Sequence, residues 1–172
     1  MRHGILLIDK PEGPTSHDVV QIVRSTLGEQ KVGHLGTLDP AASGLLVLFV
    51  GRKALKTVEL FQDTHKEYEA RIRFGSVSTT YDREGVIEEV PTKKGWHPPT
   101  ENQLQLLLRD NFLGDISQIP PLHSAVHVDG ERAYSIVRKD PNIGLQLPKR
   151  TVTVTKAQLV SYAYPDACIA IA

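Results

Sequence analysis

An α+β fold, a mixed but mostly antiparallel sheet with flanking helices, is what these 172 residues predict. Three observations carry that expectation. Short apolar runs at residues 4–8 and 45–50 have the length and bounding residues of buried strands. Tyr68, Ala70, Ile72 and Phe74 alternate with Glu69, Arg71 and Arg73, the period of a half-buried strand. Between such segments lie helical spacings with cap residues, and most connections are short.

The first run ends at Lys10-Pro11, and Thr15 or Ser16 then offers a helix N-cap. Val19, Val23 and Leu27 recur at helical spacing and Gly28 suits a C-terminal cap, so a helix is expected over 16–27. A polar, glycine-rich loop separates it from the strand at 45–50. Residues 51–61 read as a helix with Leu55, Val58 and Phe61 inward. Residues 75–85 are turn-rich, and 86–90 read as a strand. Thr100-Glu101-Asn102-Gln103 matches a capping box, and Leu104, Leu107, Leu108 and Phe112 continue a helix to Gly114. Residues 124–128, the Asp129-Gly130 turn and residues 132–138 read as strand, turn and helix. A strand of roughly a dozen residues is expected over 151–162, longer than its hairpin partner at 167–172.

Composition bounds the classes. The chain suits one domain, with a small lobe attached. A hydrophobic content of 40% supports a core. No run approaches the roughly 20 apolar residues of a membrane span. The opening Met1-Arg2-His3 does not read as a signal peptide. One cysteine, Cys168, excludes an internal disulfide framework and a cysteine metal cluster, and a cytoplasmic protein is the simple inference. Twenty basic and twenty acidic residues balance to zero, which counts against a bulk nucleic-acid binder. A local patch could still bind, and Arg52, Lys53 and Lys56, then Lys93 and Lys94, then Lys149 and Arg150 are the candidates.

The loop Gly33-His34-Leu35-Gly36-Thr37-Leu38-Asp39-Pro40-Ala41-Ala42-Ser43-Gly44 holds a lone carboxylate in stiff surroundings. Pro40 fixes its own φ and restricts Asp39. Gly33, Gly36 and Gly44 permit positive φ or close approach of another segment. Asp39 either caps a tight turn or is a nucleophile or base held in place.

In order and spacing, four segments together resemble the TruB-type tRNA pseudouridine synthases. They are Asp9-Lys10-Pro11, the Asp39 loop, residues 45–56 and Lys66-Glu67-Tyr68. The resemblance runs from about Gly4 to the last residue. It implies a pseudouridine synthase fold around a central RNA-binding cleft, with an inserted lobe at about 92–148. It implies isomerisation of the T-arm uridine of tRNA (position 55 in standard tRNA numbering) to pseudouridine, with Asp39 as nucleophile and no cofactor or metal. Tyr68 falls where the family stacks its flipped base, and the alternative is an ordinary core-facing strand tyrosine. His34 matches a loop histidine that holds RNA, and the alternative is a loop-ordering hydrogen bond. Lys10 matches the Lys-Pro pair beside the cleft and would meet a phosphate or a loop carboxylate. Lys56 matches a basic position that could contact the RNA backbone. Gly36, Thr37 and Pro40 support the loop. Asp82 matches an acid that pairs with an arginine near the nucleophile, although Thr79 replaces an earlier Asp of that motif. Ile119-Pro120-Pro121-Leu122-His123-Ser124-Ala125 resembles a family strand with His123 in place of tyrosine, and Gly130-Glu131-Arg132-Ala133-Tyr134 resembles its following turn and helix.

The family's Cys-Ser-x-Gly-Thr-Tyr-Ile-Arg strand, whose arginine partners the nucleophile, is not among these residues, and neither is its C-terminal RNA-binding domain. The chain ends inside an apolar run, so the expectation is a truncated and inactive or nearly inactive form. Two alternative functions remain: a non-catalytic RNA-binding or tRNA-folding module, and the catalytic subunit of a guide-RNA pseudouridylation particle. Relatives of the second kind lack most of the inserted lobe, so residues 120–134 favour the stand-alone bacterial type. A carbohydrate enzyme ranks low, because no second carboxylate sits at a matching spacing. A monomer is the default.

Overall fold

The computed structural model describes residues 2–62, 64–121, 126–128, 130–140, 143–145 and 147–172. It divides into two units, Met1–His65 and Lys66–Ala172.

The N-terminal unit starts with strand β1 (Gly4–Lys10), helix α1 (Ser16–Leu27) and strands β2 (Val32–Leu35) and β3 (Gly44–Val50). The antiparallel sheet has the order β1-β3-β2. Its register sets Leu6 opposite Leu48 and Ile8 opposite Leu46, so these four side chains share one face. Helix α1 lays Val19, Val20 and Val23 on that face, and together with Val32 and Val50 they form the core. Leu38, from the loop after β2, packs against the same cluster. The helix starts as its sequence predicts, and of the two offered cap residues it uses Thr15. The Thr15 hydroxyl accepts from the Asp18 N–H at 3.0 Å, and the Thr15 N–H donates to Asp18 Oδ2 at 2.8 Å. It ends on Gly28, whose φ of 63° is the left-handed cap expected there.

Two expectations for this unit need correction. Strand β1 is not buried on both faces, since Ile5 and Leu7 point outward and are exposed. It lies at the sheet edge, and its outer face is only partly covered: Phe49, opposite Ile5, is buried, whereas Ile5 and Leu7 are not. The helix expected over 51–61 is broken into α2 (Gly51–Leu55) and a 3₁₀ turn (Val58–Phe61). Thr57 causes the break: its N–H at 2.9 Å and its hydroxyl at 2.8 Å both donate to the Ala54 carbonyl, which tightens the turn. Phe61 still turns inward, with its ring edge-on to Phe49 at 5.6 Å.

The C-terminal unit begins with β4 (Tyr68–Arg73), β5 (Ser76–Ser78) and β6 (Ile87–Glu89), followed by helix α3 (Glu101–Asn111) and β7 (Gly114–Gln118). Then come β8 (His127–Val128), β9 (Glu131–Arg132), α4 (Ala133–Lys139), β10 (Arg150–Val154), β11 (Ala157–Ala163) and β12 (Asp166–Ile171). Its sheets are β11-β12-β4, β10-β7, β5-β6 and β8-β9, and every described pairing is antiparallel. Helix α3 has the expected Thr100–Gln103 capping box and packs against β11, burying Leu104 and Leu108. It ends at Asn111, short of Gly114, and leaves Leu107 and Phe112 exposed.

The strand expected over 151–162 is two strands, β10 and β11, parted at Thr155-Lys156. There the backbone turns aside to bond Ala172. The seven-residue β11 pairs the six-residue β12, so the expected length mismatch is absent. Strand β4 forms at the sheet edge where its alternation predicts, but all six of its residues are exposed. Residues 122–125, with His123, and Asp129 lie outside the described set.

These features predict three outcomes. Replacing Thr15→Ala removes the cap of α1 and costs about 1 kcal/mol, read as a lower urea midpoint at unchanged m-value. The hydrogen bonds from the Thr15 hydroxyl and Thr15 N–H hold the Asp18 carboxyl below the usual carboxylate range. The stability Asp18 supplies is therefore full above the unfolded carboxylate value of about 4. It is lost as pH falls through the lower folded value. Denaturation of wild type and Asp18→Asn should differ at neutral pH and converge in acid. Third, the Cys168 thiol donates to Glu69 Oε1 at 3.0 Å, and this bond, with burial, raises its pKa. Alkylation at neutral pH should run slower than for free cysteine, and Glu69→Gln should speed it.

Candidate active site

Asp39 sits between the end of β2 and the start of β3, on a turn closed by the Ala42 N–H donating to the Asp39 carbonyl at 3.0 Å. Pro40 occupies the second turn position, where its fixed φ is already suitable. Gly36 (φ 72°) and Gly44 (φ 125°) bound the loop in conformations that side chains resist. Gly33 serves the other purpose expected of these glycines: a Cβ there would lie 2.9 Å from Leu55 Cδ2.

The loop is held by the segment that joins β1 to α1. Ser16 is only 2% exposed, and its hydroxyl donates to the Leu38 carbonyl while accepting from the Leu38 N–H, both at 2.9 Å. The Gly13 N–H donates to the Pro40 carbonyl at 2.8 Å. The residues on either side of Asp39 are thus tied to one short stretch of chain. That stretch is fixed by Lys10, which is fully buried and donates from Nζ to the carbonyls of Pro11 and Pro14, each at 2.9 Å. Opposite Lys10 in the register stands Gly44, with no side chain to compete for space.

Asp39 itself is exposed, and among the described residues its carboxylate makes no hydrogen bond or ion pair. Gly36 and Thr37 are also exposed. His34 lies on strand β2 rather than in a loop and is half-buried. Its Nδ1 sits 2.8 Å from the Gly36 carbonyl. A carbonyl only accepts, so Nδ1 carries the proton of that bond.

At the far end of β3, about 20 Å away by strand rise, the exposed side chains of Arg52, Lys53 and Lys56 gather on and just after α2. None of the three has an ion-pair partner among the described residues.

Tyr68 and Asp82 belong to the C-terminal unit. Tyr68 opens β4 opposite Ile171 and is 50% exposed, so it is not a core-facing tyrosine there. Asp82 lies in the loop between β5 and β6, where its Oδ1 accepts from the Thr80 hydroxyl at 2.5 Å and the Glu84 N–H at 2.9 Å. Among the described residues no three His, Cys, Asp or Glu side chains converge as metal ligands would. Among the described residues no helix is long and apolar enough to cross a membrane.

Sequence reasoning assigned Ser16 only a capping choice and gave Gly13 no part. Their partners lie 22 and 27 positions along the chain, and no local pattern encodes such a bond.

The family model described as "TruB family pseudouridylate synthase (N terminal domain)" matches residues 24–172. A tRNA pseudouridine synthase B of Bacillus licheniformis is 42% identical over 161 residues, covering 94% of this chain and 50% of that protein. The protein of that name from Chlamydia trachomatis serovar L2 is 39% identical, covering 94% of this chain and 64% of its own length. The chain thus spans about half to two thirds of the length of these relatives. Among solved structures, the crystal structure of a Cbf5-Nop10-Gar1 complex holds a chain that matches with a TM-score of 0.63 at 28% identity, covering 98% of this chain and 38% of that one. An H/ACA RNP bound to a substrate RNA matches at 0.60 and 25%, covering 98% and 37%. With its family model matched over residues 24–172, the chain belongs to the TruB family of pseudouridylate synthases.

Proposed function

We propose that this chain is the N-terminal catalytic part of a tRNA pseudouridine synthase that isomerises the T-arm uridine, with Asp39 as its nucleophile. The observation that carries the reading is an exposed, unpartnered carboxylate on a loop whose backbone is tied down on both sides. Pseudouridine formation breaks a C–N glycosidic bond and forms a C–C bond to the same base. The step is redox-neutral, so a carboxylate that attacks and is later expelled meets its chemical demand. Attack on the base or the sugar, or abstraction of a ribose proton, fits this residue equally.

The other residues take graded parts. Lys56, with Arg52 and Lys53, offers cations to RNA phosphates. Tyr68 offers an exposed ring for stacking a base taken out of its helix. His34 keeps Nε2 for the RNA while Nδ1 orders the loop. Lys10 acts from beneath, by fixing the segment that grips the loop. Gly36, Thr37 and Pro40 shape the loop, and Asp82 supports the site. The reading includes a cytoplasmic monomer with tRNA as its partner and residues 92–148 as an inserted lobe. A second reading, the catalytic subunit of a guide-RNA particle, draws on the likeness to the Cbf5 complex at 28% identity. The 42% identity to a tRNA pseudouridine synthase B favours the first.

Tritium release from tRNA carrying 5-tritiated uridine tests it, with the 172-residue chain beside a form extended through the family's arginine strand. Release is expected from the extended form, and there Asp39→Asn should lower it by about 10⁴-fold or more and leave tRNA binding intact. Undiminished release by the variant would contradict the nucleophile. Binding without release in either protein would point to an RNA-binding module.

A further inference from the structure

Ser16 is the first residue of α1, where a hydroxyl ordinarily serves its own helix or water. Here Thr15 already caps the helix, and Ser16 is buried. Its single hydroxyl proton goes to the Leu38 carbonyl and a lone pair takes the Leu38 N–H, both at 2.9 Å. One side chain thereby pairs both backbone groups of one residue, as a neighbouring strand would. The Leu38 carbonyl lies in the peptide plane that also holds the Asp39 nitrogen and Cα. Fixing it fixes the origin of the Asp39 side chain. The Leu38 side chain is embedded in the core, and the Gly13–Pro40 bond holds the opposite flank. Asp39 is thus anchored through its neighbours while its carboxylate stays free to react.

We infer that Ser16 is a positioning residue for Asp39, acting through the Leu38 backbone and not on the RNA. The inference rests on the reading of Asp39 as nucleophile. A displacement of the order of 1 Å at a reacting group can cost about 100-fold in rate. The loss should appear in kcat, because no contact with RNA is removed.

The test compares Ser16→Ala with wild type by tritium release from tRNA, in a form extended through the family's arginine strand, and by amide hydrogen exchange. Ile22→Gly, which weakens the same helix on its exposed side, is the control. Ser16→Ala should lower kcat by about 10- to 100-fold at unchanged KM, and speed exchange of the Leu38 amide. Ile22→Gly should leave kcat unchanged. An unaltered kcat or unaltered Leu38 exchange in Ser16→Ala would overturn the inference while leaving the nucleophile in place, provided Asp39→Asn still abolishes release. An equal loss of kcat in Ile22→Gly would also overturn it, reducing Ser16 to a stability role. If the extended wild type releases no tritium, the functional reading fails, and Leu38 exchange alone decides: faster in Ser16→Ala supports the clasp, unchanged refutes it. If Ser16→Ala does not fold, Ser16→Gly, which also removes the hydroxyl, takes its place. A kcat equal to wild type would then overturn the inference.

Discussion

Lys10 carries its side-chain nitrogen into the interior of the N-terminal unit, and the carbonyls of Pro11 and Pro14 receive it there. A buried donor without acceptors would be costly, so these bonds set the path of the chain between β1 and α1. Two groups on that path, the Gly13 N–H and the Ser16 hydroxyl, then grip the loop after β2. The order of dependence runs from lysine to connecting segment to acidic loop. A lysine expected from sequence to meet a phosphate or a loop carboxylate instead bonds two backbone carbonyls, at the base of the scaffold.

The sheet explains why the loop is where it is. Strand β3 sits between β1 and β2, so the residues that enter it emerge beside the residues that leave β1. Lys10 pairs with Gly44 in register, which brings the Lys-Pro segment and the acidic loop to one sheet end although about thirty residues separate them in sequence. The cations on and just after α2, which have no ion-pair partner among the described residues, gather at the other end. A protein of zero net charge can in this way present a local positive field without being basic overall.

What the sequence reveals depends on how local the cause is. Helix α1 is legible because Thr15, Asp18 and Gly28 act within a few residues of it. Strand β3 is legible because its apolar run is continuous and largely buried. The glycine loop is legible as a stiff acidic turn. Strand β2 is not, because the four residues Val32–Leu35 are a strand only by pairing with β3. The exposure of β4 is hidden because alternation reports which residues share a face, not whether anything covers it. The break in α2 turns on one threonine bonding one carbonyl, and 3.6-residue periodicity does not register it. The loop residues were thus readable, whereas of the buried residues that hold them Ser16 was readable only as a cap and Lys10 only as a partner for a phosphate or a loop carboxylate.

Backbone ¹⁵N relaxation across residues 36–42 tests the central claim, that the acidic loop is rigid in the free protein. Order parameters near 0.85, matching those of β3, are the predicted result. Values below about 0.6 would mean a flexible loop and would contradict a nucleophile held in place by Lys10, Gly13 and Ser16.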